Sequence, residues 1–296
     1  MTIENKFPGK DVSKSDLTDK FPLVAKKNSE HISKFEIAGV EFGGDLVPVF
    51  AGPNMVESES LINDIAENVK KHGAHFLRGG AFKPLSFPYR SAKYNETRHD
   101  GLRWIYQAGK STGIPIITEV MDQRLVEEIA EYTDIIQIGS RNMQNYPLLT
   151  DCAKTGKPIM LKRHYGASLR DWLGAAEYLM VEGNTKIILC ERGMSVPHTH
   201  RDTSRFSLDL QVIPAAKELT HLPVVTDPSH ATFWNPWVKS MSLASIASGA
   251  DGVMLEVHPD PKNAAVDPLQ PIDFDQFKDT MESMHAVACA IGRRVL

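Results

Sequence analysis

Basic residues and possible metal ligands recur along this chain, most of them directly behind a short apolar run. The set comprises Arg78, Lys83, Arg141, Lys162, Arg192, His230, Glu256 and Asp267. Arginine binds phosphate through a fixed fork of donors, and lysine can also serve as a proton donor when neighbouring cations lower its pKa. Several cations brought into one cleft would suit a substrate that carries more than one phosphate.

Three of these residues, His230, Glu256 and Asp267, combine an imidazole with two carboxylates. This donor set favours a borderline or hard divalent ion such as manganese, iron or zinc. The same three groups could equally form a polar cluster held by hydrogen bonds, which leaves two interpretations open. Further imidazoles stand nearby in the sequence, the first two of them expected in a loop: His198, His200 and His258.

Short apolar runs alternate with amphipathic stretches from residue 46 onward. The runs are Leu46–Phe50, His75–Leu77, Ile114–Thr118, Asp134–Ile138, Ile159–Lys162, Lys186–Cys190, Pro223–Thr226 and Gly252–Glu256. The amphipathic stretches include Leu61–His72, Gly101–Ser111, Arg124–Tyr132, Leu169–Glu182, Leu210–Leu219 and Asp273–Arg293. This alternation predicts an α/β fold with a parallel sheet, and eight units indicate a closed (β/α)8 TIM barrel, with an open doubly wound sheet as the alternative. In a barrel, the chemically active residues would meet at the carboxyl ends of the strands.

The length of 296 residues fits one barrel domain, predicted over residues 34–296, with a short N-terminal extension. Residues 1–33 are polar and Lys-rich and are expected to form a flexible arm or a cap, and Phe35–Gly44 should form a hairpin. A net charge of −4 gives no reason to expect nucleic acid or an anionic membrane as a partner. The chain offers neither a signal peptide nor a spanning segment, and its three cysteines form no framework, so we expect a cytoplasmic protein.

Several strings together resemble the synthases that condense phosphoenolpyruvate with a phosphorylated aldose. They are Arg78-Gly-Gly-Ala-Phe-Lys-Pro84, Gln137-Ile-Gly-Ser-Arg-Asn-Met-Gln-Asn145, Cys190-Glu-Arg-Gly193, Asp227-Pro-Ser-His230 and Glu256-Val-His-Pro-Asp-Pro261. Within that family the chain is most similar to the type I-beta 3-deoxy-D-arabino-heptulosonate 7-phosphate (DAHP) synthases, whose sisters are the 3-deoxy-D-manno-octulosonate 8-phosphate (KDO 8-phosphate) synthases. The resemblance implies a (β/α)8 barrel, a role in the shikimate pathway of aromatic amino acid biosynthesis, and a homotetramer or homodimer.

The resemblance also implies roles for individual residues. Four cations would hold the phosphate and carboxylate of phosphoenolpyruvate, namely Lys83, Arg141, Lys162 and Arg192, and Arg78 is a further candidate for substrate binding. Lys83 would give a proton to the aldehyde oxygen, and His230 and Glu256 would orient the attacking water. With Asp267, these last two match three of the family's four metal ligands.

The chain departs from the family pattern at the fourth ligand. Asn54 stands where a cysteine is common, and an amide is a poor ligand for borderline ions. We therefore expect an enzyme without a cofactor, in which Asn54 belongs to the catalytic group, with a divalent metal as the alternative.

A second departure concerns the loop that holds the acceptor in the family. Here it reads Lys83-Pro84-Leu85-Ser86, in which Leu85 cannot bind an anion and Ser86 is a candidate for substrate binding beside Lys83. Candidates for a replacement cation are Arg90, Arg98 and Arg163. The acceptor is expected to be erythrose 4-phosphate, with arabinose 5-phosphate or another aldehyde as the alternative, and a non-catalytic phosphoenolpyruvate-binding paralogue as a second one. The arm is also too short for the regulatory domain that many relatives carry.

Overall fold

The computed structural model describes residues 18–83, 96–197, 200–201 and 206–296, and within them eight parallel strands close into a barrel. The barrel strands are β3 (Val49–Gly52), β4 (Phe76–Arg78), β5 (Ile116–Val120), β6 (Ile135–Ile138), β7 (Ile159–Lys162), β8 (Ile187–Glu191), β11 (Val224–Thr226) and β12 (Gly252–Glu256). They neighbour one another in chain order, and β12 closes the ring by pairing with β3. The predicted (β/α)8 barrel is therefore confirmed.

Helices surround the barrel on its outer side. They are α1 (Glu59–Lys71), α2 (Arg98–Thr112), α3 (Val126–Tyr132), α4 (Tyr146–Lys154), α5 (Leu169–Val181), α6 (Val212–Leu219), α7 (Pro228–Thr232), α8 (Asn235–Ala247) and α9 (Phe274–Ala290). Short 3₁₀ turns occupy Gln123–Leu125, Ser140–Asn142 and Pro261–Asn263. Two small hairpins complete the fold, β1 (Phe35–Ile37) with β2 (Val40–Phe42) and β9 (Met194–Ser195) with β10 (Phe206–Ser207).

Local sequence explains where several helices begin. The Ser58 side chain accepts the Leu61 N–H at the start of α1. Capping boxes start α5, with Ser168, and α9, with Asp273. Such side chains satisfy backbone N–H groups that have no partner inside the helix, and each contributes about 1 kcal/mol.

An aromatic cluster closes the amino end of the barrel. Phe50 and Phe76 lie inside the barrel with stacked rings 4.7 Å apart, and Phe42 from the β1–β2 hairpin packs on both. All three rings are fully buried. The predicted hairpin is thus the plug of one end, and the opposite, carboxyl end of the barrel is the one that carries the polar residues.

The segment before the hairpin lies against the outside of the barrel. The buried carboxylate of Glu177 on α5 accepts the N–H groups of Leu23 and Val24, at 3.0 and 2.9 Å. Ala25 forms a bridge with Thr220, and His221 contacts both Leu23 and Ser33. Residues 1–17 lie outside the described part of the chain, and the domain boundary at residue 33 stays a prediction.

The strand boundaries differ from the predicted ones by a few residues at most. The largest difference is at β3, where Val49–Gly52 replaces Leu46–Phe50, because Leu46 and Val47 pair with the chain near Arg294 instead. Three helices, α4, α7 and α8, lie where the amphipathic pattern singled out none. In the described ranges, no helix is both long and apolar enough to cross a membrane.

Candidate active site

The carboxyl ends of the barrel strands bring the predicted basic and acidic residues together. Arg78 ends β4 and Lys162 ends β7, while Lys83 and Arg192 follow β4 and β8 in the loops. Arg78, Lys162 and Arg192 are all at least nine-tenths buried. Cations withdrawn from water in this way interact strongly with one another and with any anion that enters.

Lys162 forms a buried ion pair with Asp227, which follows β11. The Lys162 Nζ lies 2.5 Å from Asp227 Oδ2, and His230 Nδ1 lies 2.8 Å from the same oxygen and 3.0 Å from Oδ1. Burial lowers the pKa of His230 well below its usual value of 6.5, so the ring is neutral at pH 7. Burial opposes the charge of Asp227, but His230 and Lys162 hold the pKa of this carboxyl well below its usual range. Asp227 also caps α7 by accepting the His230 N–H, which fixes the ring's position.

Lys83 reaches a second acidic group, Glu119 at the end of β5. Its Nζ lies 3.5 Å from Glu119 Oε2, which also accepts Gln137 Nε2 at 3.3 Å. Gly139 makes this arrangement possible, because a Cβ there would lie 1.9 Å from Glu119 Oε1. Burial lowers the pKa of Lys83, with Arg78 and Lys162 adding to the effect and Glu119 opposing it. A lysine of this kind gives up its proton more readily than an exposed one.

Glu256, at the end of β12, is held by three neighbours. Gln270 Nε2 donates to Glu256 Oε2 at 2.6 Å, and the same oxygen lies 3.9 Å from Arg78 Nη1 and 3.8 Å from His230 Nε2. Burial raises the pKa of Glu256 to about 8, although Arg78 opposes the shift. A carboxyl group and a neutral imidazole therefore face each other across the floor of the site.

Asn54 and Asp267 pair at the edge of this floor. The Asn54 amide donates from Nδ2 to Asp267 Oδ2 at 3.1 Å, and the buried Asn54 Oδ1 has no hydrogen-bond partner among the described residues. The reverse orientation of the amide would place two oxygens in contact, so the donor assignment is chemically sound. Asp267 adopts the left-handed conformation, with φ of 51°, which turns its loop back toward the barrel.

These residues do not fit a divalent metal as they are arranged. Asn54 faces Asp267 with its N–H donor rather than its oxygen, so the two side chains do not turn a pair of oxygens toward one ion. Across the described ranges, no three His, Cys, Asp or Glu side chains are grouped so that they could hold a metal ion. His230, Glu256 and Asp267 are instead linked to neighbours by hydrogen bonds and ion pairs.

Arg163 is not available as the cation for the acceptor, contrary to one of the expectations. Its side chain is buried and donates to Ala167 O, Glu191 Oε2 and Asp209 Oδ2. These three oxygens take the Nε and Nη1 donors of the guanidinium group. Arg98 lies on the surface beside Glu96, at a side-chain exposure of 66%.

The remaining predicted residues lie farther out or outside the described ranges. Arg141 is exposed on the 3₁₀ turn after β6. His258 faces Glu57 across 3.4 Å, and His200 contacts the edge of Trp237. Three positions fall outside the described residues, namely Ser86, Arg90 and His198. Their roles, and that of Arg141, stay predictions.

Sequence reasoning assigned no role to several polar residues of the site. They are Glu119, Gln137, Glu191, Asp209, Asp227 and Gln270. Gln137 donates to Glu119, and each of the others hydrogen-bonds one of the predicted residues or the loop that carries it. The signal that could have found some of them is position, since Glu119 and Glu191 lie at strand ends and Asp227 directly follows one. Gln270 gives no such signal, because it lies in a loop 14 residues after Glu256.

The fold and the site define a (β/α)8 barrel whose carboxyl end carries a buried group of cations beside a carboxyl–imidazole pair. The chain belongs to the DAHP synthetase I family, whose sequence profile matches residues 22–291.

Similar proteins agree with this assignment. The phospho-2-dehydro-3-deoxyheptonate aldolase of Thermotoga maritima is 36% identical over 275 residues, which are 93% of this chain and 80% of that one. The 2-dehydro-3-deoxyphosphooctonate aldolase of Syntrophotalea carbinolica is 29% identical over 268 residues, covering 85% of this chain and 95% of that one.

Solved structures give the same result for the fold. The crystal structure of the Thermotoga maritima enzyme, also described as a DAHP synthase, matches with a TM-score of 0.86 and 35% identity over 93% of this chain and 78% of that one. A truncated form of 3-deoxy-D-arabino-heptulosonate 7-phosphate synthase from the same organism matches with a TM-score of 0.85, over 94% of this chain and the whole of that one.

Proposed function

We propose that this protein condenses phosphoenolpyruvate with erythrose 4-phosphate and releases DAHP and inorganic phosphate. Membership of the DAHP synthetase I family and the 36% identity to the Thermotoga maritima phospho-2-dehydro-3-deoxyheptonate aldolase support the reaction class. The observation that carries the proposal is the group of buried cations at the carboxyl end of the barrel, in a chain whose net charge is −4. Burying positive charge is costly, and an anionic substrate offsets that cost.

Phosphoenolpyruvate would bind between the strands that carry Lys162 and Arg192. Cys190, two residues before Arg192, pairs in register with Lys162, so the two cations leave neighbouring strands. A phosphate between them would accept donors from both sides, and Arg78 would hold the carboxylate. Among the described residues the buried Arg78 Nη1 has no hydrogen-bond partner. It is therefore a donor that a substrate oxygen could satisfy.

The reaction would begin when C3 of phosphoenolpyruvate forms a bond to the aldehyde carbon. The aldehyde oxygen takes a proton from Lys83, whose pKa is lowered mainly by burial. Glu119, 3.5 Å from Lys83 Nζ, would hold the ammonium toward the cleft. Donors fixed in advance, such as Lys83, stabilise the negative charge that develops on the aldehyde oxygen without reorganisation, and water quenches the positive charge that develops at C2.

Water would add to C2 from the side of His230 and Glu256. The 3.8 Å between His230 Nε2 and Glu256 Oε2 allows one water to hydrogen-bond both atoms. The bond between C2 and the phosphate oxygen then breaks, inorganic phosphate leaves toward Lys162 and Arg192, and C2 becomes a ketone. The water supplies the oxygen of that ketone, one of its protons restores Lys83 and the other leaves with the phosphate, so atoms and charges balance.

We further infer that the reaction needs no metal ion. The amide of Asn54 takes the place of a thiolate ligand and is hydrogen-bonded to Asp267. In this interpretation, the two residues orient the aldehyde and the water through hydrogen bonds rather than through an ion.

One assay tests both parts of the proposal. Phosphate release from phosphoenolpyruvate is measured with erythrose 4-phosphate, arabinose 5-phosphate and the unphosphorylated aldoses, each with EDTA and with added Mn²⁺. We expect turnover with erythrose 4-phosphate that EDTA leaves unchanged. Turnover with arabinose 5-phosphate alone would show that this sugar, and not erythrose 4-phosphate, is the acceptor. Loss of turnover in EDTA with recovery in Mn²⁺ would refute metal independence. The absence of phosphate release with every aldehyde would refute the proposed enzymatic activity.

Two further properties belong to the proposal. We infer a homodimer or homotetramer, which light scattering coupled to size exclusion tests directly. A cytoplasmic location in the shikimate pathway is expected because the substrates are phosphorylated central metabolites, and cell fractionation tests it.

A further inference from the structure

A buried carboxylate at the end of β8 lies immediately before Arg192. Glu191 is fully buried and accepts the N–H of Gly193 at 2.7 Å, Arg163 Nη1 at 3.1 Å and the N–H of Asp209 at 3.4 Å. Burial raises the pKa of Glu191, and Arg163 and the Gly193 N–H oppose that shift. One side chain therefore organises the backbone on the far side of Arg192.

Arg163 extends this connection to two other elements. From the end of β7 it donates to Ala167 O at 3.1 Å and to Asp209 Oδ2 at 2.8 Å, besides Glu191. Asp209 in turn accepts the Val212 N–H at the start of α6 through its other oxygen. The three side chains thus join β7, β8 and the start of α6 behind the substrate cations.

Arg192 itself is fixed from the side of the cleft as well. Its guanidinium carbon lies 4.4 Å from the centre of the Phe206 ring on β10, a cation–π arrangement. Gly193 has φ of 100°, and a Cβ there would lie 2.8 Å from Phe206 Cβ and 2.9 Å from Ala231 Cα. The turn after Arg192 accordingly accepts only glycine without a shift of the neighbouring chain.

A contribution to folding stability does not by itself explain why the chain has such a network. Glu191 and Arg163 lose nearly all of their hydration at this depth, and well-packed apolar residues often stabilise a fold as well as or better than such a buried pair. What the network does supply is a unique position for the backbone on either side of Arg192. A shift of about 1 Å in a substrate-binding group can cost about 100-fold in rate.

We propose that Glu191, Arg163 and Asp209 act as positioning residues that hold Arg192 at the phosphate of phosphoenolpyruvate. This inference rests on the function proposed above, and it assigns these residues to the donor substrate alone. Affinity for the acceptor should not depend on them.

The test measures phosphoenolpyruvate binding by calorimetry and KM for each substrate, in the whole protein. Glu191→Gln keeps an oxygen that can accept the Gly193 N–H but removes the charge opposite Arg163. Asp209→Asn makes the same change at a site that is 31% exposed and is the gentler variant. We expect Kd and KM for phosphoenolpyruvate to rise by about tenfold or more in the first variant and less in the second, with KM for the acceptor changed by less than about twofold.

Asp251→Asn is the matched control. Asp251 also accepts a strand N–H, from Val224, and pairs with Lys217 and Arg293, but it lies at the opposite end of the barrel. We expect a comparable loss of thermal stability and an unchanged Kd for phosphoenolpyruvate. The inference fails if Glu191→Gln, shown to be folded by circular dichroism, weakens phosphoenolpyruvate binding no more than the control, or weakens the binding of both substrates equally.

The outcome for the wild-type protein separates the two proposals. A wild type that binds phosphoenolpyruvate without turning over refutes the proposed reaction and leaves the positioning role to be decided by the Kd values. A wild type that binds but whose variants bind equally well refutes the positioning role alone. A wild type that binds no phosphoenolpyruvate refutes both.

Discussion

Replacing Lys162 with methionine separates the structural part of the site from its binding part. The methionine retains most of the stem and removes the ammonium that lies 2.5 Å from Asp227 Oδ2. Both side chains are nearly inaccessible, at 6% and 0% exposure, so solvent does not screen the pair. Removing one partner of a buried pair costs about 3–5 kcal/mol, and we expect a loss in the lower half of that range because His230 still contacts the carboxylate.

The affinity for phosphoenolpyruvate should fall for a different reason from the stability, so the two losses can be separated. A hydrogen bond from a charged donor contributes about 1.5–3 kcal/mol, so Kd for phosphoenolpyruvate should rise roughly 10- to 150-fold in Lys162→Met. The double variant that adds Asp227→Asn removes the orphaned charge, while the amide oxygen introduced there can still accept the His230 N–H and cap α7. We expect the double variant to regain at least about half of the lost stability and none of the lost affinity.

Urea unfolding gives the stabilities, and calorimetric titration with phosphoenolpyruvate gives the affinities. A loss of less than about 1 kcal/mol in the single variant would mean that the pair is screened like a surface pair, and the buried description of the site would be wrong. An unchanged Kd would remove Lys162 from the phosphate site. Recovery of affinity in the double variant would show that Lys162 acts only by neutralising Asp227.

Three further predictions concern other parts of the molecule. Burial, with Arg294 and Lys70, lowers the pKa of His75 from 6.5 to about 4. The free energy of unfolding should therefore fall by up to about 3 kcal/mol as the pH drops from 6.5 to 4, and it should fall less in His75→Asn. Urea unfolding at several pH values would measure both. The same dependence of unfolding free energy on pH in the wild type and in His75→Asn would contradict this prediction. Gly139→Ala should displace Glu119 and lower kcat by about tenfold or more. Gly166→Ala is the control and should leave kcat unchanged, because its Cβ would meet nothing closer than 3.6 Å. Equal kcat values in the two variants would rule out the steric reasoning. Phe42→Ala should cost about 3–5 kcal/mol in unfolding free energy yet leave the Kd for phosphoenolpyruvate unchanged, since the ring packs at the end of the barrel opposite the site, and weaker binding would show that the two ends are coupled.

The barrel could be predicted because its strands are buried on both faces. All residues of β5, β7 and β12 are buried, which gives continuous apolar runs that stand out against amphipathic helices. The boundary of β3 could not be predicted, since Leu46 and Val47 are just as apolar as the strand itself and pair with the C-terminal residues. α8 was not singled out, because its apolar residues do not concentrate on one face.

The basic residues of the site could be predicted once the barrel itself was predicted. A parallel barrel places every strand's carboxyl end on one face, so Lys83, Lys162 and Arg192 had to lie near each other once the strands were known. The partners of these residues were harder to predict. Lys162 and Asp227, for example, are 65 residues apart in the chain, and this spacing does not show that they are in contact.

The sequence by itself determined the barrel and the face that carries the chemistry. These follow from local patterns and from the identity of single residues, which need no knowledge of distant contacts. The tertiary structure alone decided which basic residues lie in the candidate site. Arg163 and Lys162 are adjacent basic residues at the end of one strand, yet Arg163 is occupied by Glu191 and Asp209, whereas Lys162 lies in the site beside Asp227. The physical reason is that successive side chains at a strand end point in opposite directions, and the groups they meet come from other strands.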